Sequence, residues 1–157
     1  MEKTNVMRLL DAAKIPYGSY EYAAPDGALS GVEVARQLGQ EEERVFKTLV
    51  TQAASGKYYV FVIPVGEELH LKKAASAVHE KKIEMIKSKE LLPLTGYIHG
   101  GCSPIGMKKP FPTVVDETAQ LWDTIIFSAG KIGYQVELAP ADLAKVIRYT
   151  FADVIAE

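Results

Sequence analysis

The sequence predicts a single mixed α/β domain, residues 1–157, in which strands outnumber helices. Two patterns predict it. Apolar residues recur at helical spacing in some segments, whereas other short apolar runs are rich in valine, isoleucine and aromatic residues and end at glycine or proline. The composition, 48% hydrophobic and 24% charged, is typical of a globular protein that buries a core without disulfides or metal ions.

Helices are predicted from apolar spacing and from residues that favour helix ends. Ser30 and Glu33 have the spacing of a capping box, and Gly39 is suited to end the same helix. Pro140 is suited to the first position of a last helix. The predicted helices are residues 3–13, 30–38, 72–79, 88–92 and 140–149.

Strands are predicted for the short runs that glycine, proline or polar residues interrupt. The runs on either side of "SGK", residues 55–57, are expected to form a β-hairpin. The predicted strands are residues 15–22, 45–54, 58–66, 82–86, 111–117, 122–130 and 133–138.

Charge, hydropathy and cysteine content exclude several classes of protein. Proteins that coat nucleic acid are strongly basic, whereas this chain has a net charge of −2, so we expect no DNA partner. No apolar run approaches the roughly 18 to 20 residues that span a bilayer, and the N-terminal residues lack the apolar stretch of a signal peptide. One cysteine excludes an internal disulfide and fits a reducing compartment, so we expect a cytoplasmic protein.

Positive charge is concentrated in one segment. Between His70 and Pro110 there are eight lysines and three acidic residues. Lysine pairs are often only a solvated face. Because all three histidines and a glycine-rich loop share this segment, it also indicates a polyanionic partner.

Lys47 interrupts the apolar run "VFKTLV". Alternation along a strand puts Lys47 and Leu49 on one face and Phe46, Thr48 and Val50 on the other. An unpaired lysine ammonium is costly to bury. Two readings stay open: an edge-strand lysine that reaches water, or a lysine that lines a cleft and binds a phosphate or carboxylate.

The stretch "GYIHGGCSPIGM", Gly96 to Met107, contains four glycines, a proline and the cysteine. Gly100 and Gly101 allow a positive φ and a close approach to a ligand. Consecutive N–H groups in such a loop can bind an anion or form an oxyanion hole. A tight crossover between sheet segments is the alternative.

Other chemistry for these loops is weaker. "GCSPIG" is no nucleophile elbow, because Pro104 removes the N–H that would follow Ser103. Cys102 as a nucleophile would need a histidine base such as His99, and no zinc-ligand spacing is present. The turn "FSAGKIG" contains Ser128. Its hydroxyl is either a further ligand contact or part of a plain hairpin turn.

Five motifs together resemble the YbaK/EbsC family. "VFKTLV", "GYIHGGCSPIGMKK", "PTVVDE", "FSAGKIG" and "VELAPADLAKV" occur in the family's order, and the resemblance covers roughly residues 4–155. The family is similar to the editing domain inserted in bacterial prolyl-tRNA synthetases. The resemblance implies a mixed-sheet barrel flanked by helices, and an enzyme that hydrolyses mischarged aminoacyl-tRNA, with cysteinyl-tRNA(Pro) as the favoured substrate.

The resemblance also implies site residues. Lys47 matches the family's key lysine, and Thr48 follows it in the motif. Gly100 and Gly101 match the loop that approaches the aminoacyl ester, so we expect their N–H groups to orient the carbonyl and to receive its developing charge. Lys47, Gly100 and Gly101 are therefore the predicted catalytic residues.

The implied substrate pocket includes Tyr20 and Ser128, together with Thr48. One position departs from the family, because Gln135 stands where YbaK-type members tend to have aspartate. The missing carboxylate leaves two rivals open: the same reaction on another amino acid such as alanine, and a noncatalytic module that binds aminoacyl-tRNA or a synthetase.

The family's chemistry fits the absence of a Ser-His-Asp constellation in this sequence. The substrate's own cysteine thiol is expected to attack its ester, so the protein supplies no nucleophile and needs no metal or other cofactor. The acceptor end of mischarged tRNA is the expected partner, and prolyl-tRNA synthetase is a further one.

Overall fold

The computed structural model describes residues 2–157, in which there are five α-helices and eight β-strands. The helices are α1 (Asn5–Ala12), α2 (Gly31–Leu38), α3 (Leu71–Ala77), α4 (Ser88–Thr95) and α5 (Pro140–Leu143). The strands are β1 (Gly18–Glu21), β2 (Phe46–Ala53), β3 (Tyr58–Pro64), β4 (Ile83–Met85), β5 (Thr113–Asp116), β6 (Ile125–Ser128), β7 (Tyr134–Leu138) and β8 (Tyr149–Ala152). The predicted mixed α/β class is confirmed.

The strands form two sheets that meet at one point. The larger sheet has the order β4-β2-β3-β5-β8, and the smaller has the order β1-β7-β6. The predicted β2–β3 hairpin is antiparallel, whereas β3–β5 and β5–β8 are parallel. A parallel bridge between Val45 and Ile126 joins the two sheets. Within residues 2–157 the strands form open sheets and do not close into the expected barrel.

Apolar clusters lie on both faces of β2 and β3. On one face Phe46 and Val50 pack with α1, β6, β7 and the segment that follows the glycine-rich loop. On the other face Phe61 and Ile63 pack with α3. Helix α2 contacts a third, smaller cluster around the Val45–Ile126 bridge through Ala35. The sheets are thus covered on both faces, which fixes the positions of the loops at their ends.

Local sequence signals place the ends of α2 correctly. The Ser30 hydroxyl accepts a hydrogen bond from the Glu33 N–H, and the Glu33 carboxylate accepts one from the Ser30 N–H. Gly39 follows the helix in the left-handed conformation, with φ 66°. No helix in residues 2–157 is long and apolar enough to cross a bilayer.

The predicted last helix, residues 140–149, is wrong beyond its first turn. Helix α5 ends at Leu143, and residues from Tyr149 onward form β8 beside β5. Aromatic and β-branched residues such as Tyr149, Thr150 and Phe151 fit a pleated surface, and the partner strand lies more than thirty positions earlier in the sequence. The apolar residues after Leu143 continue at helical spacing, but the chain from Tyr149 onward pairs with β5 instead.

Candidate functional site

Three of the predicted pocket residues lie in one row across the smaller sheet. Gln135 on β7 is directly opposite Tyr20 on β1 and Ser128 on β6. Residues opposite each other in antiparallel strands direct their side chains to the same face. Gln135 has only 5% of its surface exposed, whereas Tyr20 and Ser128 are half-buried. The row is a polar strip across the smaller sheet.

Lys47 belongs to the same face. The parallel bridge pairs Val45 with Ile126, and two residues further along each chain Lys47 and Ser128 occupy corresponding positions. Strand β2 pairs with β3 along its whole length, but with β4 only from Thr51 to Ala53, so Lys47 lies where β2 has a strand on one side alone. Only the short stretch of β2 between the bridge and Thr51 lacks a strand on the β4 side.

The environment of Lys47 lowers the pKa of its ammonium group. Partial burial lowers the pKa of Lys47 below its ordinary value of 10.5, although the charges of Glu68 and Glu67 oppose the shift. Within residues 2–157 the ammonium forms no salt bridge. A half-buried lysine without a carboxylate partner is suited to bind an anionic ligand.

Thr48 does not join this row. Its neighbours in the period-2 pattern, Phe46 and Val50, lie in the larger core cluster, so the Thr48 side chain is on the opposite face from Lys47. The Thr48 Oγ1 is buried and has no hydrogen-bond partner among the described residues. The structure therefore separates Thr48 from the other predicted pocket residues.

The glycine-rich loop packs against the turn that follows Ser128. A Cβ at Gly101 would lie 3.1 Å from the Ile132 nitrogen, and a Cβ at Gly100 would lie 2.4 Å from the Ala28 Cβ. Gly100 also has φ +88°, a conformation that L-residues rarely adopt. Both glycines are needed for this close approach, which brings the two predicted loops together at one end of the polar row.

The N–H groups of the two glycines differ. The Gly101 N–H donates to the Ile98 carbonyl oxygen at 2.9 Å, so it already has an acceptor within the loop. The N–H groups of Gly100 and Cys102 have no hydrogen-bond acceptor among the described residues. The N–H groups on either side of Gly101 are therefore among the loop donors that remain available to a ligand.

The side chains of Cys102 and Ser103 are buried. Burial raises the pKa of Cys102 to about 12, which disfavours the thiolate and argues against a cysteine nucleophile. Ser103 is fully buried, and its hydroxyl accepts a hydrogen bond from the Ile105 N–H at 3.3 Å. His99 is exposed. Among residues 2–157 no three His, Cys, Asp or Glu side chains lie close enough together to hold a metal ion.

Ser128 forms a hydrogen bond within the hairpin turn. Its hydroxyl accepts a hydrogen bond from the Gly130 N–H at 3.1 Å, which holds the β6–β7 turn. A hydroxyl that accepts in this way keeps its own proton to donate. Ser128 can therefore shape the turn and also bind an oxygen atom of a ligand.

A carboxylate that the sequence analysis missed lies on the same face, two residues after Gln135. Glu137 accepts hydrogen bonds from the hydroxyls of Tyr20 and Thr124, and its Oε2 lies 3.3 Å from Nη2 of Arg44. Burial opposes its ionisation, but these two hydrogen bonds and the Arg44 charge together hold the pKa of Glu137 below its usual value. The network fixes the Tyr20 ring beside Gln135.

Gln40 is the second residue that the sequence analysis missed. It follows the Gly39 cap of α2, and its Nε2 donates to the Oε1 of Gln135 at 2.8 Å. The Oε1 of Gln40 is buried and has no partner among the described residues. Period-2 alternation from Gln135 points to Glu137, but no local pattern brings Gln40 to a strand 95 positions away.

The arrangement defines a class of protein. Lys47, Ser128, Gln135 and Tyr20 form a polar strip, and beside it a glycine loop presents unpaired N–H groups. Such a face meets its ligand with hydroxyls, amides and main-chain donors and supplies no activated nucleophile. It is suited to a substrate that is already reactive and needs positioning.

Sequence comparison identifies the family. The model of the aminoacyl-tRNA editing domain matches residues 26–146, and the chain belongs to this family. A candidate Cys-tRNA(Pro)/Cys-tRNA(Cys) deacylase, EbsC of Enterococcus faecalis (strain ATCC 700802 / V583), is 50% identical over 153 residues. The match covers 98% of this chain and 93% of that protein.

Solved structures have the same fold at low sequence identity. A protein described as a candidate trans-editing enzyme for prolyl tRNA synthetase superposes with TM-score 0.81 at 21% identity, over 99% of this chain and all of the other. A hypothetical protein superposes with TM-score 0.84 at 22% identity, over 98% of this chain and all of the other. These similarities extend over the whole fold and confirm it.

Proposed function

We propose that this protein is a trans-editing aminoacyl-tRNA deacylase that hydrolyses the ester of mischarged cysteinyl-tRNA(Pro). The observation that carries the proposal is the meeting of the glycine loop with the polar strip that contains Lys47 and Ser128. Membership of the editing-domain family supports the reaction class. The relative at 50% identity, named as a candidate Cys-tRNA(Pro)/Cys-tRNA(Cys) deacylase, supports the substrate.

Each residue has a role in this proposal. The N–H groups of Gly100 and Cys102 donate to the ester carbonyl oxygen and stabilise its negative charge in the transition state. Gly101 holds the turn that directs those two groups. Lys47 binds a phosphate near the tRNA 3′ end, while Tyr20 and Ser128 form the pocket walls.

The reaction uses the thiol of the substrate. The cysteine sulfur attacks its own ester carbonyl, a carbon–sulfur bond forms, and the bond to the ribose oxygen breaks. The thiol proton passes to the departing ribose oxygen, and water then opens the cyclic thioester to free cysteine. An aminoacyl ester is already activated, so positioning and charge stabilisation are the main contributions of the protein.

Gln135 keeps a second function in view, a module that binds aminoacyl-tRNA without turnover. Its amide oxygen accepts the Gln40 hydrogen bond where the family tends to have a carboxylate, so no charge is offered to the substrate amine at this position. Glu137 is the alternative carboxylate on this face. We assign the amine-binding role to Glu137 and regard Gln135 as a tolerated substitution.

The same proposal extends to the setting of the reaction. One domain, residues 1–157, carries the whole activity in the cytoplasm and receives mischarged tRNA, with prolyl-tRNA synthetase as the partner. The single buried cysteine suits a reducing compartment.

The test is ester loss from cysteinyl-tRNA(Pro) and alanyl-tRNA(Pro), measured in parallel at the same salt concentration. Rapid loss of cysteine with little loss of alanine is the expected result. Rapid loss of alanine would overturn the thiol-assisted mechanism, and tight binding without ester loss would favour the module. If the protein binds without ester loss, Gln135→Asp is the next variant. A gain of turnover in it would show that the missing carboxylate limits the reaction.

A further inference from the structure

A cavity lies away from the polar strip. It has a volume of about 1020 Å³ and is lined by residues 104–107, 109–114 and 144–150, with Leu9 and Val78 at its sides. None of Lys47, Tyr20, Ser128 or Gln135 contributes to it. We call it the basic groove. Ligand pockets are typically about 300 to 1,000 Å³, so it is at the upper end of that range and has room for an extended ligand.

The charges of the groove have one sign. Lys109, Lys145 and Arg148 line it, and no aspartate or glutamate does. Lys145 forms a salt bridge with Asp142, with 2.7 Å between Nζ and Oδ1. Lys109 and Arg148 form no salt bridge within residues 2–157. A chain with a net charge of −2 thus keeps a local surface that complements a polyanion.

The walls between these cations suit ribose and bases. Phe111 and Tyr149 are half-buried and line the groove, together with Pro104, Pro110 and Pro112. Aromatic faces beside a row of cations are the combination that binds single-stranded nucleic acid, because bases stack on rings while cations meet phosphates.

The groove begins where the glycine loop ends. Pro104 is three residues after Gly101 and lines the groove. Three peptide units separate Gly101 from Pro104, so their Cα atoms lie within about 11 Å of each other. That span corresponds to a couple of nucleotides.

We infer that the basic groove binds the phosphate backbone of the tRNA acceptor arm while the aminoacyl end lies at the glycine loop. This inference rests on the proposed function for the direction of the strand, since an ester at Gly100 puts the preceding nucleotides next to Pro104. The cations and aromatic rings of the groove support RNA binding without the proposed function, but they do not give the direction of the strand.

The experiment measures binding of uncharged, fluorescein-labelled tRNA(Pro) to the full chain over a range of salt concentrations. The test variant is Lys109→Ala with Arg148→Ala. The matched control is Lys57→Ala with Lys81→Ala, which removes the same charge from exposed positions outside the groove. We expect about tenfold weaker binding for the test variant and a salt slope smaller by about two, because each lost phosphate contact reduces the slope by about one. The control is expected to match the unmodified protein.

Deacylation kinetics give the second measurement. The test variant should raise KM for cysteinyl-tRNA(Pro) about tenfold and leave kcat within a factor of two, because the groove touches no reacting atom. Equal affinity and salt slope in the test variant and the unmodified protein would overturn the inference, and so would equal weakening in test and control. If no ester is lost from any tRNA but the test variant alone loses tRNA binding, the proposed function fails and the groove stands.

Discussion

The two faces of β6 and β7 carry different properties of the protein. On one face Phe127 and Val136 are fully buried in the larger apolar cluster. On the other face Ser128 and Gln135 belong to the polar strip beside the glycine loop. Under the proposed function, adjacent residues contribute either to stability or to substrate binding, and substitutions at neighbouring positions should separate the two.

The largest expected effect is on the apolar face. Phe127→Ala removes a fully buried ring and should lower the free energy of unfolding by about 3 to 5 kcal/mol. Urea unfolding measures it. The matched variant Ser128→Ala, one residue along on the other face, should change stability by less than about 1 kcal/mol and lower deacylation several-fold. Equal effects of the two variants on stability would remove the distinction between the faces.

The glycine loop gives the next largest effect. Gly100→Ala puts a Cβ 2.4 Å from the Ala28 Cβ and forces an L-residue to φ +88°, so the loop must shift. Loss of one oxyanion donor lowers kcat by about 10²- to 10³-fold, and kcat for cysteinyl-tRNA(Pro) measures it. The double variant Ala28→Gly with Gly100→Ala relieves the contact but not the backbone strain, and should recover only part of the rate. Full activity of Gly100→Ala alone would contradict the role of this loop.

Substitution of Lys47 tests whether a residue of the larger sheet contributes to the site on the smaller sheet. Lys47→Ala should lower kcat/KM by about 10- to 100-fold, the loss of one charge-assisted hydrogen bond. Exposed Lys57→Ala on the β2–β3 turn is the control and should retain full activity. An unchanged kcat/KM for Lys47→Ala would exclude it from the site.

The pH dependence of Lys47 distinguishes activity from stability. Its pKa in the folded state is below 10.5, so the unfolded chain binds more protons between the two values, and stability should rise with pH there. Over the same range the ammonium is lost and kcat/KM should fall. Lys47→Arg should move the fall in kcat/KM to higher pH, because arginine stays charged.

Substitution of Glu137 should lower the stability of the protein in a pH-dependent way. Glu137→Gln removes the charge that Arg44 and the Tyr20 hydroxyl contact, and should destabilise the protein by about 1.5 to 3 kcal/mol at neutral pH. Because the pKa of Glu137 is lowered in the folded state, its contribution is present above its unfolded pKa and is lost as the pH falls through its folded pKa. Urea unfolding at several pH values should show the difference from the variant disappearing in acid.

The smallest effect is expected at Cys102. Its thiol is buried and protonated, so Cys102→Ala should leave kcat within about a factor of two and lower stability by about 1 kcal/mol. Thermal unfolding and ester hydrolysis, each compared with the unmodified protein, measure these two quantities. Loss of turnover with an intact fold would restore Cys102 as a nucleophile.

Local patterns predict the parts of this protein that local physics decides. The capping box of Ser30 and Glu33, the β2–β3 hairpin and the two faces around Lys47 all follow from short-range spacing. Strand β8 does not, since its partner β5 lies more than thirty positions away and the helical spacing after Pro140 competes with it.

The site shows the same division. The residues of the polar strip are visible in the motifs, but the contacts of Gln40 and Glu137 join positions 95 and 117 apart. The Gly101 N–H is engaged in a turn whose hydrogen bond depends on the loop conformation rather than on residue type. Sequence patterns therefore predict which residues gather at the site, and the structure is needed to tell which of their atoms are free.

The most direct test of the site is a crystal structure with a non-hydrolysable amide analogue of 3′-cysteinyl-adenosine. We expect its carbonyl oxygen within hydrogen-bond distance of the Gly100 N–H, with Lys47 beside the sugar or phosphate and Tyr20 and Ser128 against the amino acid. An analogue bound on the opposite face of β2, or one whose carbonyl makes no contact with the glycine loop, would contradict this assignment of the site.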